Sequence, residues 1–430
     1  MTSPKTVETL ILGAGLAGLS AAYHLTGDVL VAEAASAPGG TAGTLSRNGF
    51  HLDYGIHVLY CRNPWTLSWI DQGLGVSLKC SERRSAVWLH RRFVPFPIQL
   101  HLRALPLVTR LWLGGSAIGA WLRNREATEP ASMAEWSQVH FGAALTREFF
   151  RPYNEKLWRI PVEELHTDWM DTYVPRPAAR TVLAGLFSNR TRPYGASSTF
   201  WYPTSGGIAQ VAQAIARRIP ALELGWRLIA VDLSSHIAFF QSGAEVSYSR
   251  LISTIPLPDL IRCIRPVSPE LQAAAGALRA TPVLLAHVLL PRAQVCPDWH
   301  WVYVPDSAIP FYRITSPHTI SPNTCPEGWS ALTLEISGEK ASRQLEHVCK
   351  RCLVEMGLLL PSEMDAQTLW SRLECGYVVF DGSRAAARQV LLAALARHSV
   401  SCLGRYGCWE YSNMESALLQ GRNLARQPRP

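Results

Sequence analysis

The sequence of 430 residues has few of the features that mark membrane-spanning or nucleic-acid-binding proteins. Its longest apolar run, LWLGGSAIGAWL at 111–122, falls well short of the about 20 residues that a transmembrane helix needs. Lysine is scarce, because most of the 41 basic residues are arginine. The formal net charge is +8, but the sequence has no lysine-rich tail and no recognition-helix pattern. We therefore interpret the positive charge as spread over the surface. We therefore predict no transmembrane segment and no nucleic-acid partner, and we interpret the apolar run as a buried helix, with membrane-surface contact as the alternative.

The cysteines do not form a recognisable metal set. Cys349 and Cys352 make one C-x-x-C, but no second pair or histidine partner completes a zinc site, and HVCKRCLVEMGLL has the pattern of an amphipathic helix. The sequence enters an apolar strand at once, with neither a signal segment nor a cleavage site. We therefore expect a cytoplasmic protein whose ten cysteines are reduced thiols, and we predict no metal.

A glycine-rich segment near the start carries a dinucleotide-binding fingerprint. ETLILGAGLAGLSAAYHL contains an apolar strand ending in Gly13, Gly15 and Gly18, then a helical pattern. Glu33 closes the next apolar run, VLVAE, twenty residues after Gly13. In such a segment the first glycine permits a tight turn, the second lets backbone approach a pyrophosphate, the third allows close helix packing, and the acid binds ribose hydroxyls. The sequence therefore predicts a bound dinucleotide.

The segments that follow indicate which dinucleotide is bound. A nicotinamide-binding domain normally continues with another strand and helix after the acidic residue. This sequence instead has a second glycine turn at Gly39 and Gly40, followed by the run HLDYGIHVLY. With the late segment LGRYGCWEY at 403–411 and the helical pattern after it, these features resemble the two-dinucleotide-binding flavoproteins. The resemblance implies non-covalently bound FAD, with the N-terminus of the last helix beside the flavin.

The periodicity of the rest predicts two interruptions of the cofactor domain, one helical and one with alternating strand-like segments. Together with the flavoprotein resemblance, this implies an α/β protein with a discontinuous FAD-binding Rossmann-like domain, an inserted helical subdomain and an antiparallel β-sheet subdomain. The predicted boundaries are 1–78, 186–271 and 383–430 for the FAD-binding domain, 100–185 for the helical subdomain, and 79–99 with 272–382 for the β-sheet substrate subdomain.

Seven motifs in order make the resemblance specific. They are GIHVLY, FVPFPIQ, RPYNEKLWRIP, Gly206-Gly207, WVYVPDSAIPFYRIT, CGYVVFD and GRYGCWEY. Together they resemble the UDP-galactopyranose mutase family, and its eukaryotic-type branch more than the common bacterial one. The family interconverts pyranose and furanose forms of a nucleotide-activated sugar, with N5 of reduced FAD attacking the anomeric carbon. This implies a nucleotide-sugar substrate and an external reductant such as NAD(P)H, and it suits a sequence without an obvious Ser/His/Asp or Cys/His set.

The resemblance also implies roles for individual residues. The expected catalytic residues, which grip the diphosphate or contact the flavin, are His57, Arg313, Tyr377 and Tyr411. The expected substrate-binding residues are Gln99, Tyr153, Asn154, Trp158, Tyr303 and Arg176. The expected cofactor-binding residues are Gly13, Gly15, Gly18, Glu33, Gly39, Gly40, Arg405 and Asn413. For Arg313 a physical argument points the same way, because a buried guanidinium in a strand needs an anion. Arg151 and Lys156 are interpreted as solvated.

Two departures weaken the substrate assignment. Tyr173 stands where the family usually has a diphosphate-binding arginine, with Arg176 as the nearest substitute, and Phe96 replaces a tyrosine. Two alternatives therefore stay open: an FAD-dependent oxidase or desaturase of the amine-oxidase and protoporphyrinogen-oxidase type, and a flavoprotein that has lost catalysis and serves as a partner. The sequence leaves open the nucleotide, the sugar, the reductant and the oligomeric state.

Overall fold

The computed structural model describes residues 4–123, 130–168, 170, 179–187, 198–295 and 298–427. The strands, in chain order, are β1 (Lys5–Leu12), β2 (Val29–Glu33), β3 (Thr44–Arg47), β4 (Phe50–Asp53), β5 (Leu78–Glu82), β6 (Ser85–Leu89), β7 (Arg92–Pro95), β8 (Thr199–Pro203), β9 (Leu222–Leu224), β10 (Leu228–Asp232), β11 (Ile237–Phe240), β12 (Glu245–Ser253), β13 (Ala280–Leu290), β14 (Trp301–Tyr303), β15 (Arg313–Thr315), β16 (Ser330–Ser337), β17 (Thr368–Val378) and β18 (Val400–Cys402).

The helices lie between these strands. They are α1 (Leu16–His24), α2 (Pro64–Ser68), α3 (Leu107–Arg123), α4 (Met133–Leu145), α5 (Arg151–Trp158), α6 (Ala179–Phe187), α7 (Ala209–Ala216), α8 (Leu257–Cys263), α9 (Pro269–Ala277), α10 (Pro317–Ile320), α11 (Arg343–Glu355), α12 (Arg384–Arg397), α13 (Gly404–Gly407) and α14 (Met414–Arg426). In the described residues no helix is both long enough and apolar enough to cross a bilayer.

The cofactor sheet has β1 at its centre. The order is β10-β11-β12-β1-β2-β9, and β18 also pairs with β12. β1 runs parallel to β2 and β12, while β10 and β11 form an antiparallel extension. The C-terminal ends of the two central strands, β1 and β12, are buried, as expected for parallel strands that are covered on both faces of the sheet. Its strands come from all three sequence segments predicted for the FAD-binding domain.

The second large sheet is mostly antiparallel and has the order β17-β13-β16-β15-β14-β6-β7. β13 and β16 are buried almost throughout, so they form the centre of this sheet. β6 and β7 belong to it, as the sequence predicts for the segment 79–99. The first part of that segment does not, because β5 pairs with β8 in a separate two-stranded sheet. The two strands of this sheet differ in burial, since β5 is polar and largely exposed whereas β8 is aromatic and mostly buried.

The described part of the segment 100–185 is helical and contains α3, α4, α5 and the first residues of α6. Gly142 bends α4 with a φ of +82°, and a Cβ there would lie 2.4 Å from the carbonyl oxygen of Ser116, so glycine lets α3 and α4 approach closely. The prediction that 111–122 is a buried helix is only half right. Leu113 and Ala117 are buried, whereas Leu111 and Leu122 on the opposite face are exposed.

Candidate active site

A cavity of about 680 Å³ lies at the carboxyl end of β1. Its walls include both glycine turns, the start of α1, the loop after β12, and the segment that joins α13 to α14. The carboxyl ends of parallel strands are where α/β sheets bind their ligands. The fold therefore brings the predicted cofactor residues of the first and last segments of the chain around one space.

The glycine turns have the geometry that a pyrophosphate needs. Gly13 has a φ of +99° and begins the turn from β1 into α1, and a Cβ on Gly18 would lie 2.1 Å from its carbonyl oxygen. A Cβ on Gly15 would meet no atom within 4 Å, and one on Gly40 would meet only the Cα of Gly15, at 3.5 Å. The backbone is thus open toward the cavity at these two positions. α1 begins at Leu16 without a side-chain cap, so its first N–H groups are available for a phosphate.

Glu33 lies on the side of the cavity where the ribose would bind. Its two carboxylate oxygens accept hydrogen bonds from the backbone N–H groups of Ala14 and Ala35, each at 2.7 Å. These bonds fix the carboxylate at the rim of the cavity, and each oxygen keeps a lone pair for a ribose hydroxyl. The residues present therefore fit the adenosine and pyrophosphate part of FAD.

The opposite wall is positively charged. Arg405 is half-buried, donates to the carbonyl oxygen of Ser412, and lies with its guanidinium carbon 5.2 Å from the ring centroid of Tyr411. Among the described carboxylates none forms an ion pair with Arg405. Asn413 caps α14 by accepting from the Ser416 N–H at 2.8 Å, which leaves the N-terminal end of that helix facing the cavity. A flavin that carries negative charge when reduced would be stabilised there.

His57 lies between the cavity and a second polar cluster. Burial, together with the positive charges of Arg405 and Arg313, lowers the pKa of His57 to about 4, against the opposing effect of Glu335. Its imidazole is therefore neutral at physiological pH. A neutral ring can exchange hydrogen bonds with a cofactor, but it cannot serve as a ready source of protons.

The second cluster is centred on Arg313 and Glu335. Arg313 Nε donates to Glu335 Oε1 at 2.7 Å, Arg313 Nη2 donates to Glu335 Oε2 at 2.5 Å, and the same Nη2 donates to the Tyr377 hydroxyl at 2.9 Å. Glu335 also accepts from the Tyr312 hydroxyl and from the Ile56 N–H, next to His57. Burial alone would lower the pKa of Arg313, but Glu335 and the nearby tyrosines raise it well above its ordinary value. The guanidinium is thus held rigidly as a cation.

Aromatic side chains enclose this cluster. The ring of Tyr153 on α5 lies 5.5 Å from that of Tyr303 on β14, and the ring of Tyr303 lies 5.0 Å from that of Phe96. The ring of Trp158 lies 5.5 Å from that of Tyr377. Burial raises the pKa of Tyr153 well above its ordinary value, so its hydroxyl stays a hydrogen-bond donor. These contacts bring together aromatic residues from four distant segments of the sequence, and three of them, Tyr153, Trp158 and Tyr303, are predicted substrate residues.

Three of the predicted substrate residues are less accessible than the sequence suggests. Gln99, Asn154 and Trp158 are 3%, 6% and 2% exposed. The amide of Asn154 donates to the Phe150 carbonyl at 2.7 Å and accepts from the Trp158 indole N–H at 3.2 Å, so both of its ends are used by α5 and the residue before it. In this structure Asn154 and Trp158 support the wall of the site from behind, and their direct contact with a substrate stays a prediction.

Two other interpretations of this helix were wrong. Arg151 and Lys156 are not free solvated charges: Arg151 pairs with Glu155 and Glu163, and Lys156 Nζ donates to the carbonyl oxygens of Val304 and Asp306 at 3.0 and 2.6 Å. The basic residues of RPYNEKLWRIP therefore fasten α5 to its surroundings. The aromatic residues of the same run form the site wall.

Sequence reasoning missed two charged residues of the site. Glu335 is the anion that Arg313 requires, and its signal was present as the one carboxylate in the apolar strand SALTLEIS. Arg83 lies 5.1 Å from the ring centroid of Phe96 and bonds the Tyr60 hydroxyl, and no described carboxylate forms an ion pair with it. Nothing in its sequence context distinguishes it from Arg84, which pairs with Asp298 on the surface.

Two predictions remain, one on the loop arginine and one on the cysteines. Arg176, like Tyr173, falls outside the described residues. Cys349 and Cys352 are buried on α11, and the described residues contain no group of metal-ligating side chains that could hold an ion.

The comparisons with known proteins agree with this geometry. A crystal structure of reduced UDP-galactopyranose mutase superposes with a TM-score of 0.90 at 26% identity, covering 99% of this chain and 93% of that one. This bears out the resemblance to that family, while the eukaryotic-type branch stays a prediction. Two further solved structures share the fold. A putative protoporphyrinogen oxidase from Exiguobacterium sp. 255-15 superposes with a TM-score of 0.73 at 15% identity, covering 99% of this chain and 98% of that one. Putrescine oxidase with bound putrescine superposes with a TM-score of 0.62 at 15% identity, covering 98% of each chain.

A curated relative matches over a short segment. Phytoene dehydrogenase of Streptomyces griseus is 51% identical over 55 residues, which are 12% of this chain and 11% of that protein. A family model matches nearly the whole chain. It is described as flavin containing amine oxidoreductase, and it matches residues 16–427. The chain therefore belongs to the flavin-containing amine oxidoreductase family.

Proposed function

We propose that this flavoprotein is a mutase that interconverts the pyranose and furanose forms of a nucleotide-diphosphate sugar. The observation that carries the proposal is the cluster of Arg313, Glu335 and Tyr377 beside the cofactor cavity. A rigid guanidinium with phenolic donors suits a diphosphate, because planar cations and hydroxyls bind phosphate oxygens with defined geometry. The similarity to reduced UDP-galactopyranose mutase over nearly the whole chain supports the same assignment.

Reduced FAD would supply the nucleophile for the anomeric carbon and would finish the cycle in its starting redox state. On the cofactor side, the backbone at Gly15 and Gly40 would hold the pyrophosphate, Glu33 the ribose, and Arg405 with the start of α14 the flavin end. The reaction breaks and remakes the bond between the anomeric carbon and the diphosphate, and it moves the ring bond from one sugar oxygen to another. No electrons are lost overall, so an external reductant such as NAD(P)H would be needed only to prepare the cofactor.

The residues of the polar cluster would hold the substrate. Arg313, already oriented by Glu335, can direct a remaining N–H toward a phosphate oxygen, and Tyr377 and Tyr303 can donate their hydroxyl protons. As the sugar leaves, negative charge grows on the diphosphate, so donors fixed in place would stabilise it more than the substrate ground state. The surrounding aromatic rings would exclude water that could hydrolyse an activated sugar.

His57 would act as a neutral hydrogen-bonding group near the reacting end of the cofactor. Its pKa of about 4 makes protonation at physiological pH costly, so it would adjust its hydrogen bond to the redox state of the flavin. Activity would then show no step near pH 6.5 from this histidine.

The direct test is an anaerobic incubation of dithionite-reduced protein with UDP-, GDP- and dTDP-sugars, followed by chromatographic separation of pyranose and furanose forms. Conversion of one sugar, absent with the oxidised protein, would support the proposal and identify the substrate. Equal activity of the oxidised protein would contradict the role given to reduced FAD. No conversion, with substrate-dependent oxygen uptake by the FAD-bound protein, would identify an oxidase instead. Bound FAD without nucleotide affinity or turnover would indicate a non-catalytic flavoprotein.

A further inference from the structure

Exposed apolar side chains are concentrated in one part of the molecule. Of the large apolar residues that the structure shows as exposed, more than half lie on α3 and α6, and the rest are scattered singly. We define the apolar stripe as five α3 residues and their exposed fractions: Leu107 (57%), Val108 (81%), Leu111 (50%), Trp112 (39%) and Leu122 (60%). Scattered apolar residues are ordinary on a protein surface, but a continuous row of them marks an interaction site.

The stripe is one face of a helix whose other face is already used. At 3.6 residues per turn its five members fall within about 140° of arc. Leu113, Gly114, Ala117 and Ala120 are buried on the opposite side, and a Cβ on Gly114 would lie 2.4 Å from Leu186 of α6. α3 therefore packs on the helical subdomain through one apolar face and presents a second apolar face to the surroundings. Packing within the described protein does not explain the second face.

Positive charge is concentrated in the same stretch of sequence. Residues 85–125 contain six arginines and no aspartate or glutamate. The positive charge is therefore concentrated in one stretch of the sequence, although the overall composition suggests that it is diffuse. The basic turn of His90 and Arg91 borders the stripe, because His90 bonds Glu148, Glu148 bonds Arg147, and the Arg147 guanidinium lies 4.5 Å from the Trp112 ring centroid. The nearby carboxylate is thus already paired.

We propose that α3 docks this protein on the surface of an anionic lipid bilayer. The apolar stripe would lie among the headgroups and upper acyl chains, with α3 parallel to the membrane plane, while the surrounding arginines bind lipid phosphates. Leucine, valine and tryptophan on one side of a helix with arginine at its margins is the composition of helices that lie in the interface. Tryptophan favours this depth, and arginine reaches back to the headgroups with its charged end.

A second copy of the chain fits the same face less well. A two-fold contact through α3 would set the same arginine-rich margins of two copies against each other, and like charges at an interface cost affinity. An anionic surface instead complements these charges. The surface proposal does not depend on the proposed mutase activity, because the stripe lies outside the cofactor cavity and the Arg313 cluster.

Co-sedimentation of the FAD-bound protein with vesicles tests the proposal. We expect binding to vesicles of phosphatidylcholine with phosphatidylglycerol, much weaker binding to phosphatidylcholine alone, and a decrease as salt is raised. The double variant Val108→Glu/Leu111→Glu should lower the partition coefficient at least about tenfold, because two apolar side chains that would enter the bilayer become charges. Val390→Glu is the matched control, since Val390 is an exposed valine (37%) on another helix, α12.

Bound FAD and the far-UV circular dichroism spectrum should be unchanged in both variants, because the altered side chains are exposed. The proposal is overturned if the wild-type protein does not bind the anionic vesicles, or if the double variant binds them as well as Val390→Glu. Sedimentation velocity adds a further outcome. A dimer that dissociates in the double variant, without vesicle binding by the wild type, would show that the stripe is a self-association surface.

Discussion

Arg313 and Glu335 determine the charge of the candidate substrate site at the scale of single residues. Arg313→Ala should abolish binding of UDP, because the guanidinium that would hold the diphosphate is removed, while FAD remains bound in its separate cavity. The substitution also leaves the buried Glu335 carboxylate without its cation, which should cost about 3–5 kcal/mol of stability. Isothermal titration with UDP and the flavin absorbance of the purified variant measure the two effects.

The double variant Arg313→Met/Glu335→Gln separates binding from stability. It removes both buried charges together, so it should recover most of the stability that Arg313→Ala loses. It should still fail to bind UDP. If the double variant bound UDP with wild-type affinity, Arg313 would have no place in the substrate site.

Arg83 offers a second test of diphosphate binding. Because it lies over Phe96 and bonds Tyr60 without an ion-pair partner among the described residues, we expect it to supply part of the positive charge that a diphosphate needs. Arg83→Ala should weaken UDP binding about ten- to hundredfold, which corresponds to one lost charge-assisted hydrogen bond. Its neighbour Arg84 pairs with Asp298 on the surface, so Arg84→Ala should leave the affinity unchanged. Equal effects of the two substitutions would contradict a specific role for Arg83.

These residues show what the sequence could and could not predict about the site. The glycines, Glu33 and Asn413 were predictable because their roles depend on neighbours a few positions away. The need of Arg313 for an anion was predictable from its strand, but the identity of that anion was not, because Glu335 becomes its neighbour only through the pairing of β15 with β16. Arg83 and Arg84 are adjacent and identical in the sequence, and only the path of the chain after β5 separates their environments.

At the scale of secondary-structure elements, Asp53 joins four of them. Its carboxylate accepts from Thr44 on β3, Tyr202 on β8 and the Ile208 N–H before α7, at 2.6, 2.5 and 3.1 Å. Burial, against the effect of these hydrogen bonds, raises the pKa of Asp53 to about 6. The folded protein therefore binds this proton more tightly than the unfolded chain does.

The pH dependence follows from that difference. Between about pH 4 and pH 6 the folded state holds the proton that the unfolded state has lost, so the stability contributed by Asp53 is present at low pH and falls by about 3 kcal/mol as the pH rises. Asp53→Asn keeps the shape and most of the hydrogen bonds, so it should remove this component. Urea unfolding of both proteins at several pH values, with FAD at constant excess, measures the difference. Parallel pH profiles would show that Asp53 does not titrate in this range.

The pairing of elements was less predictable than their type. Alternating patterns predicted most of the antiparallel sheet, but nothing in β5 indicates that it pairs with β8, more than a hundred residues later. The apolar composition of α3 predicted a helix and could not show that only half of it is buried, because both faces carry apolar residues.

At the scale of the whole molecule, the cofactor cavity is lined by the beginning, middle and end of the chain. The cavity is lined by residues around Gly15, Thr254 and Asn413, which also border the strands of the cofactor sheet. We therefore expect loss of FAD and unfolding of the sheet to occur together. Flavin fluorescence and far-UV circular dichroism should give the same thermal midpoint, and added FAD should raise both midpoints equally. Flavin release well below the circular dichroism transition would contradict this coupling.

The central pairing of the cofactor sheet has a consequence for biosynthesis. β1 pairs with β12 in the register Lys5 to Val246, and β18 joins the same sheet only at Val400. At a ribosomal rate of about 5–20 residues per second, β1 would wait on the order of ten seconds or more for its partner. During that time the edge of β1 that pairs with β12 in the folded protein is unpaired, and unpaired strand edges promote aggregation. Expression yield should therefore depend strongly on chaperones that bind nascent chains.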